Sequence, residues 1–493
     1  MDNLPVNTGR ASGWIGALFA LALMAFATGC STAPPKPATS VPAVRCRGTL
    51  GLEVGPLSRE VRKKLGLLAD SKGAVVTSVY PGGPAANAGI RENDILERIG
   101  GTAIVFDCDA DRAAYNRACE PATAMIRRGG IEMEVTLVPV DQLPFFEKAC
   151  DGGNLDACFR KAWLPWDRKH EDPRTLELFE SACKAGSGEA CAYEGLQLSE
   201  NPERAGDSVP VLQRACELQS AGGCATLGFL YATGKAVAKD DKRAAALYRK
   251  SCELGDAQGC YNAGLMSDDG RGVKEDAARA AADYDEACEL GSATACTNLG
   301  FLYERGRGVR QDRAQAFALY ERGCAGTSCL GSNLGGCVNA GRAYRDGIGV
   351  AVNEEKAALI FREACDRKQN EDDIHAAENG ARACSLLGGL YIAGDGIPKD
   401  LEQGRDFSVL GCDRGDSFGC FNAAVCFSSG ADADPAKAAS YFERACKLGD
   451  GESCHALAAA YRKGNGVPRD AARAKALEKQ ACDLGFAASC GRK

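Results

Sequence analysis

Residues Cys296-Thr-Asn-Leu-Gly300-Phe-Leu-Tyr303-Glu-Arg-Gly306-Arg-Gly308-Val309 place a small residue four positions after a thiol, an aromatic three beyond it and a glycine three beyond that. The same order recurs along the chain. Cysteines stand eight apart at 150/158, 183/191, 216/224, 252/260, 288/296, 329/337, 412/420, 446/454 and 482/490, and cysteines 216, 252, 288 and 324 are spaced by 36. A period of that length marks stacked helix–turn–helix units, and about nine helix pairs are expected. Counted from the second cysteine, position four is small throughout (Gly228, Gly264, Gly300, Gly341, Ala458), so helices can approach closely there. Position seven usually carries an aromatic (Tyr231, Tyr303, Tyr344, Tyr391, Phe427, Tyr461), one turn from the small residue, which predicts a core stripe. Position ten is glycine (Gly234, Gly270, Gly306, Gly347, Gly394, Gly464), fit to end the first helix in a left-handed conformation. An alanine-rich second helix follows, as in 312–324, and a further glycine three after the first cysteine (Gly255, Gly291, Gly449) ends it.

Two thiols flanking so short a turn can reach disulfide geometry if the helices run antiparallel. Each such loop contributes about 2–3 kcal/mol in the chain-entropy description, which matters where alanine and glycine bury little apolar area. Zinc is the rival use of cysteine, but it favours Cys-x2-Cys or Cys/His clusters. Seven-residue gaps and three histidines do not fit, so no metal or cofactor is expected.

The pattern Cys-x3-Gly-x2-Tyr-x2-Gly-x-Gly-Val resembles the Sel-like repeat family and its cysteine-rich Hcp-like branch, over residues 145–493. The resemblance implies a right-handed αα superhelix that mediates protein–protein contacts. It also implies disulfides Cys150–Cys158, Cys183–Cys191, Cys216–Cys224, Cys252–Cys260, Cys288–Cys296, Cys412–Cys420, Cys446–Cys454 and Cys482–Cys490. The pattern breaks at Cys324, Cys329 and Cys337, where an extra cysteine leaves pairing open, and at Cys365 and Cys384, where the gap widens. With Cys30 set aside, 25 cysteines remain, so at least one thiol is left over. Cys426 falls where Leu230, Leu302 and Leu390 stand in sister repeats and reads as a buried apolar thiol. Cys46 can pair between chains or stay free.

Ahead of the repeats, residues 46–141 show strand-like segments at 49–54, 74–79 and 131–138 between glycine- and proline-rich turns. Gly48-Thr-Leu-Gly-Leu-Glu-Val54, Gly73 to Gly89 and Ile90-Arg-Glu-Asn-Asp94 resemble PDZ domains of the HtrA type. A peptide carboxylate needs convergent backbone N–H donors, which a glycine lets the chain supply. Leu50, Gly51 and Leu52 are the candidates, with the peptide adding as a strand beside 52–54. Cys108 and Cys119 are expected to pair and brace a helical segment near 111–117. HtrA-type domains usually accompany a serine protease, yet no histidine precedes residue 170 and no Gly-x-Ser-x-Gly occurs.

Residues 11–29 are uncharged and follow Arg10, as a secretory h-region does. Ala27-Thr28-Gly29-Cys30 resembles a bacterial lipobox, which implies cleavage of 1–29 and lipidation of Cys30; an uncleaved signal anchor is the alternative. Residues 30–45 carry prolines at 34, 35, 37 and 42 and read as an extended tether. Ser31 after the lipid-bearing cysteine leans toward the outer membrane. With 66 acidic and 59 basic side chains the net charge is -7, which disfavours nucleic-acid binding.

Some Hcp-like relatives are described as penicillin-binding proteins with β-lactamase activity, and Ser181-Ala-Cys-Lys184 matches Ser-x-x-Lys. Sister repeats place Arg214, Lys250 or Arg322 where Ser181 stands, no Ser-Asp-Asn or Lys-Thr-Gly partner exists, and Ser181 reads as a surface residue. His170, His375 and His455 are scattered without a nucleophile partner. The expected protein is a multidomain, non-enzymatic, lipid-anchored scaffold of the cell envelope. A small β-rich PDZ domain precedes an all-α, disulfide-stapled solenoid, its partners are proteins, and the membrane is reached through the anchor.

Overall fold

The computed structural model describes residues 48–57, 59–68, 71–104, 121–138, 140–163, 173–325, 333–367, 374–394, 396–429 and 433–490. The expected signal segment, Cys30, Cys46, the Cys108–Cys119 pair, Cys329 and His170 lie outside them. Two compact units are present. The first runs to Ala295 and takes in Arg307–Val309; the second holds Cys296–Gly306, Arg310–Ala325 and Ser332–Lys493.

The first unit opens with strands β1 (Gly48–Thr49), β2 (Leu52–Pro56), β3 (Ala74–Val79), β4 (Ile95–Ile99), β5 (Thr102–Ala103), β6 (Ala122–Arg128), β7 (Ile131–Leu137) and β8 (Val140–Asp141). Helices α1 (Arg59–Leu65) and α2 (Pro84–Asn87) lie between them in sequence. The antiparallel sheet runs β2-β3-β4-β6-β7 with β5 on β4, while β1 pairs separately with β8. Period-two alternation drives β6: Ala122, Ala124 and Ile126 are buried while Thr123 is exposed. They pack with Leu96, Ile99 and Leu137. Asp94, 1% exposed, accepts both Arg128 Nε and Arg128 Nη2 at 2.6 Å and the Arg91 N–H at 2.8 Å. A buried carboxylate is tolerable only when its lone pairs are filled in this way, and the bonds tie the end of β6 to the turn before β4.

Helices follow: α3 (Gln142–Asp151), α4 (Leu155–Trp163), α5 (Pro173–Ala185), α6 (Gly188–Glu200), α7 (Ser208–Glu217), α8 (Ala221–Thr233), α9 (Asp241–Glu253), α10 (Ala257–Asp269), α11 (Ala277–Glu289) and α12 (Ala293–Arg305). The array continues with α13 (Arg313–Ala325), α14 (Leu334–Asp346), α15 (Glu354–Asp366), α16 (Ile374–Ala393), α17 (Leu401–Asp413), α18 (Ser417–Ser428), α19 (Pro435–Lys447), α20 (Gly451–Lys463) and α21 (Ala471–Asp483). Side chains that accept backbone N–H bonds start them: Ser220 before α8, Asp256 before α10, Asp400 before α17 and Asp450 before α20. Gly234, Gly270, Gly347 and Gly464 end first helices in the left-handed region, as their spacing predicts.

The core differs from the expected stripe. Fully buried rings of the second helices include Tyr248, Tyr284, Tyr320 and Phe361, and the small residues Gly228, Gly264, Gly300 and Gly341 of first helices each face one of them. A Cβ on Gly264 would sit 2.7 Å from the Tyr284 ring, and one on Gly300 2.8 Å from the Tyr320 ring. Of the position-seven aromatics, Tyr344 and Tyr461 are buried while Tyr231, Tyr303, Tyr391 and Phe427 are half-buried, several beneath a cation as Tyr231 is beneath Arg243.

Disulfides join Cys150–Cys158, Cys183–Cys191, Cys216–Cys224, Cys252–Cys260, Cys412–Cys420, Cys446–Cys454 and Cys482–Cys490, with Cα atoms 4.3–4.8 Å apart. Cys288 and Cys296 are both disulfide-bonded. In the irregular repeats the bonds are Cys324–Cys337 and Cys365–Cys384. Cys324 thus takes the staple in place of Cys329, although Cys329 keeps the eight-residue spacing; Cys324 keeps the 36-residue period and ends α13, where the thiol faces the next helix.

Candidate functional site

The loop 50–52 is fixed from behind. Gly51 has φ +67°, and a Cβ there would lie 2.9 Å from Pro84 Cδ and 3.2 Å from Phe145 Cζ, so glycine is required both by conformation and by space. The Leu50 carbonyl accepts from the Ala85 N–H at 2.9 Å and the Gly51 carbonyl from the Tyr80 N–H at 3.0 Å, so both carbonyls are turned into the domain. Leu50 and Leu52 are buried in the sheet core.

The Tyr80-to-Gly51 bond also sets the register of β2. Leu52 stands opposite Val79, next to that bond, at a non-hydrogen-bonded position of the ladder. Its N–H and C=O therefore point to the outer edge. β2 pairs on one side with β3 and ends the sheet among the described residues. Such an edge can take an added strand. The three predicted donors do not act alike, however, because the Gly51 N–H is directed to Thr49 Oγ1 at 3.3 Å.

Side chains from the first helices brace the same strand, which the sequence reading did not anticipate. Glu53 of β2 accepts from Tyr80 Oη at 2.5 Å and pairs with Arg160 Nη2 of α4 at 2.5 Å. The buried Tyr80 ring meets Phe145 and Phe146 of α3 edge-on at 5.8 and 5.7 Å. Arg62 of α1 reaches Glu289 of α11 at 3.1 Å. The Phe145-Phe146 pair directly after the last strand was the available signal.

The Ser-x-x-Lys match does not assemble a site. Ser181 is exposed on α5, and the Lys184 ammonium is engaged by Glu180 one turn back at 2.7 Å. His455 Nδ1 lies 2.7 Å from Ser489 Oγ and its ring packs on Phe486; His375 belongs to α16. Among the described residues no group of three His, Cys, Asp or Glu is placed to hold a metal ion. Cys426 is a free thiol, half-buried rather than buried, and its burial pushes its pKa up, away from thiolate reactivity.

The PDZ domain family matches residues 75–115, and the Sel1 repeat family matches 222–256, 257–292, 293–328, 335–368, 381–416, 417–450 and 451–486. A probable periplasmic serine endoprotease DegP-like protein of Brucella suis is 36% identical over 72 residues, 15% of this chain and 14% of its own length. The chain thus spans about a seventh of that relative, and the shared stretch is the PDZ region. Among solved structures, a protective antigen of uropathogenic Escherichia coli strains displaying an SLR fold is 21% identical, covers 70% of this chain and 80% of its own, with a TM-score of 0.44. Helicobacter pylori cysteine rich protein B is 33% identical over 25% of this chain and 91% of its own, with a TM-score of 0.23. PDZ domains and Sel1 repeats are protein–protein interaction modules. With seven matched repeats covering half of its length, this chain belongs to the Sel1 repeat family and carries a PDZ domain ahead of the repeats.

Proposed function

We propose that this chain is an exported, lipid-anchored adaptor that holds a peptide C-terminus on its PDZ domain and a second protein on its repeats. The open outer edge of β2, with the Leu52 N–H and C=O directed outward beside the Gly51 bend, carries the reading. A strand added there gains main-chain hydrogen bonds, while the carboxylate seeks the N–H groups of the Leu50-Gly51-Leu52 loop. The many disulfides favour an oxidising compartment outside the cytoplasm, in keeping with a lipid on Cys30 and a tether over 30–45. Chemistry is not assigned to the repeats, since Ser181 is an exposed residue of α5 and Lys184 is engaged by Glu180, and a chromogenic cephalosporin should not be turned over.

The test is fluorescence anisotropy with a library of C-terminal peptides. A ligand with a free carboxylate should bind at least tenfold more tightly than its C-terminal amide; equal affinity of acid and amide for every ligand would overturn the carboxylate role. Mass spectrometry of membrane-extracted protein should find acylated Cys30 as the first residue.

A further inference from the structure

Between α9, α10 and α11 of the first unit lies a cleft of about 390 Å³ that the PDZ reading does not use. Its floor is apolar: Ala263 and Met266 are buried beneath it, and Val273 stands at its mouth, 43% exposed. Its rim is cationic, with Lys242, Arg249, Lys274 and Arg279 against the single carboxylate of Asp276.

Repetition does not explain this rim. One period later the four positions hold Ala278, Asp285, Arg310 and Gln315, and sum to no net charge. Nor do neighbouring acids neutralise it. Arg249 is committed to a two-pronged pair with Asp283. Asp241 is shared by Lys239 and Arg271, and Asp268 and Glu275 are both taken by Arg307. Asp276 accepts the Arg279 backbone N–H as the cap of α11. Lys242, Lys274 and Arg279 are exposed and have no ion-pair partner among the described residues. Three cations without ion-pair partners, set against the one carboxylate of Asp276, leave a net positive charge around an apolar depression on a chain of net charge -7, a local site for the opposite sign.

We propose that this cleft docks an acidic segment of a partner protein, seating one aliphatic side chain against Met266 and Val273 with flanking carboxylates on Lys242, Lys274 and Arg279. The volume suits one such side chain with its backbone, and the apolar floor distinguishes the site from a surface that merely attracts anions. The proposal rests on the reading of the repeats as a protein-binding array and is independent of the PDZ groove.

The probe is a fluorescein-labelled peptide Glu-Asp-Glu-Leu-Glu-Asp-Glu with an amidated C-terminus, which withholds the carboxylate a PDZ groove needs. Anisotropy with the full chain should show binding that weakens at least threefold between 50 and 200 mM salt. The exposed triple variant Lys242→Glu/Lys274→Glu/Arg279→Glu, with unchanged circular dichroism, should weaken it at least tenfold, and Leu→Ser in the peptide at least threefold. No binding by the parent chain, equal binding by the triple variant, or equal binding of the Ser peptide would each overturn the proposal. So would phosphatidylglycerol vesicles that compete the peptide off through the same three residues, since the cleft would then be a lipid-headgroup surface.

Discussion

Two residues show how far the repeat grammar constrains single positions. The slot three after the first cysteine is a left-handed glycine at Gly255, Gly291, Gly415, Gly449 and Gly485, but Gln219 holds it with φ +65°. A side chain there costs about 1–2 kcal/mol, less the backbone entropy that a glycine loses on folding. Gln219→Gly should therefore raise stability by about 1 kcal/mol, read from urea denaturation, and a loss of stability would show the glutamine to be held by its surroundings. At Gly349 the restriction is spatial as well. A Cβ would meet the Arg313 carbonyl oxygen at 1.9 Å, where the loop after one first helix lies against the first turn of the preceding second helix. Gly349→Ala should cost about 2–4 kcal/mol, with hydrogen exchange rising around α13 and α15. The spacing made these glycines visible. It could not reveal what Gly349 touches, because that contact joins residues 36 apart and leaves no local signal.

Element boundaries were legible because each has a chemical cause: an acceptor side chain at the start and a glycine at the end. The packing face was not. Position seven carries an aromatic at regular spacing, but the rings filling the space beside Gly228, Gly264, Gly300 and Gly341 come from second helices, four positions before the first cysteine (Tyr248, Tyr284, Tyr320, Phe361). That column breaks at Ser408 and Leu212, which blurs it in sequence. In the β-domain, β4 and β6 lack a clear strand signal because Glu97, Arg98 and Arg127 interrupt their apolar runs, whereas the Leu50-Gly51-Leu52 bend is marked by its glycine. The caps carry a pH prediction. Asp400 is held below the usual carboxylate range chiefly by the Gln403 N–H, and Asp434 by the Lys437 N–H. Folded values below unfolded ones mean that the stabilisation is complete above about pH 4 and is lost as pH falls through the folded values. Asn caps equally well without titrating. Asp400→Asn/Asp434→Asn should thus lose less stability than the parent between pH 5 and 3 in urea titrations, and parallel losses would place the acid sensitivity elsewhere.

Across the repeats, small cores and frequent oxidation belong to one solution. Around Cys446–Cys454 the fully buried apolar neighbour is Ala481, with Leu477 and Phe486 only partly buried against it, so the cluster contributes little apolar area against the entropy of ordering two helices. A covalent link across the turn lowers that entropy in the unfolded chain, by about 2–3 kcal/mol for so short a loop. In an array whose units touch mainly their neighbours, such a term acts locally. Cys446→Ala/Cys454→Ala should therefore raise hydrogen exchange in α19 and α20, by up to about a hundredfold if the whole term is lost, while α8 and α9 keep the parent's protection. Equal protection at α19 and α20 would show that packing alone holds this pair. Loss throughout α8 to α20 would instead mean that the repeats fold as one cooperative block, in which each staple supports the whole.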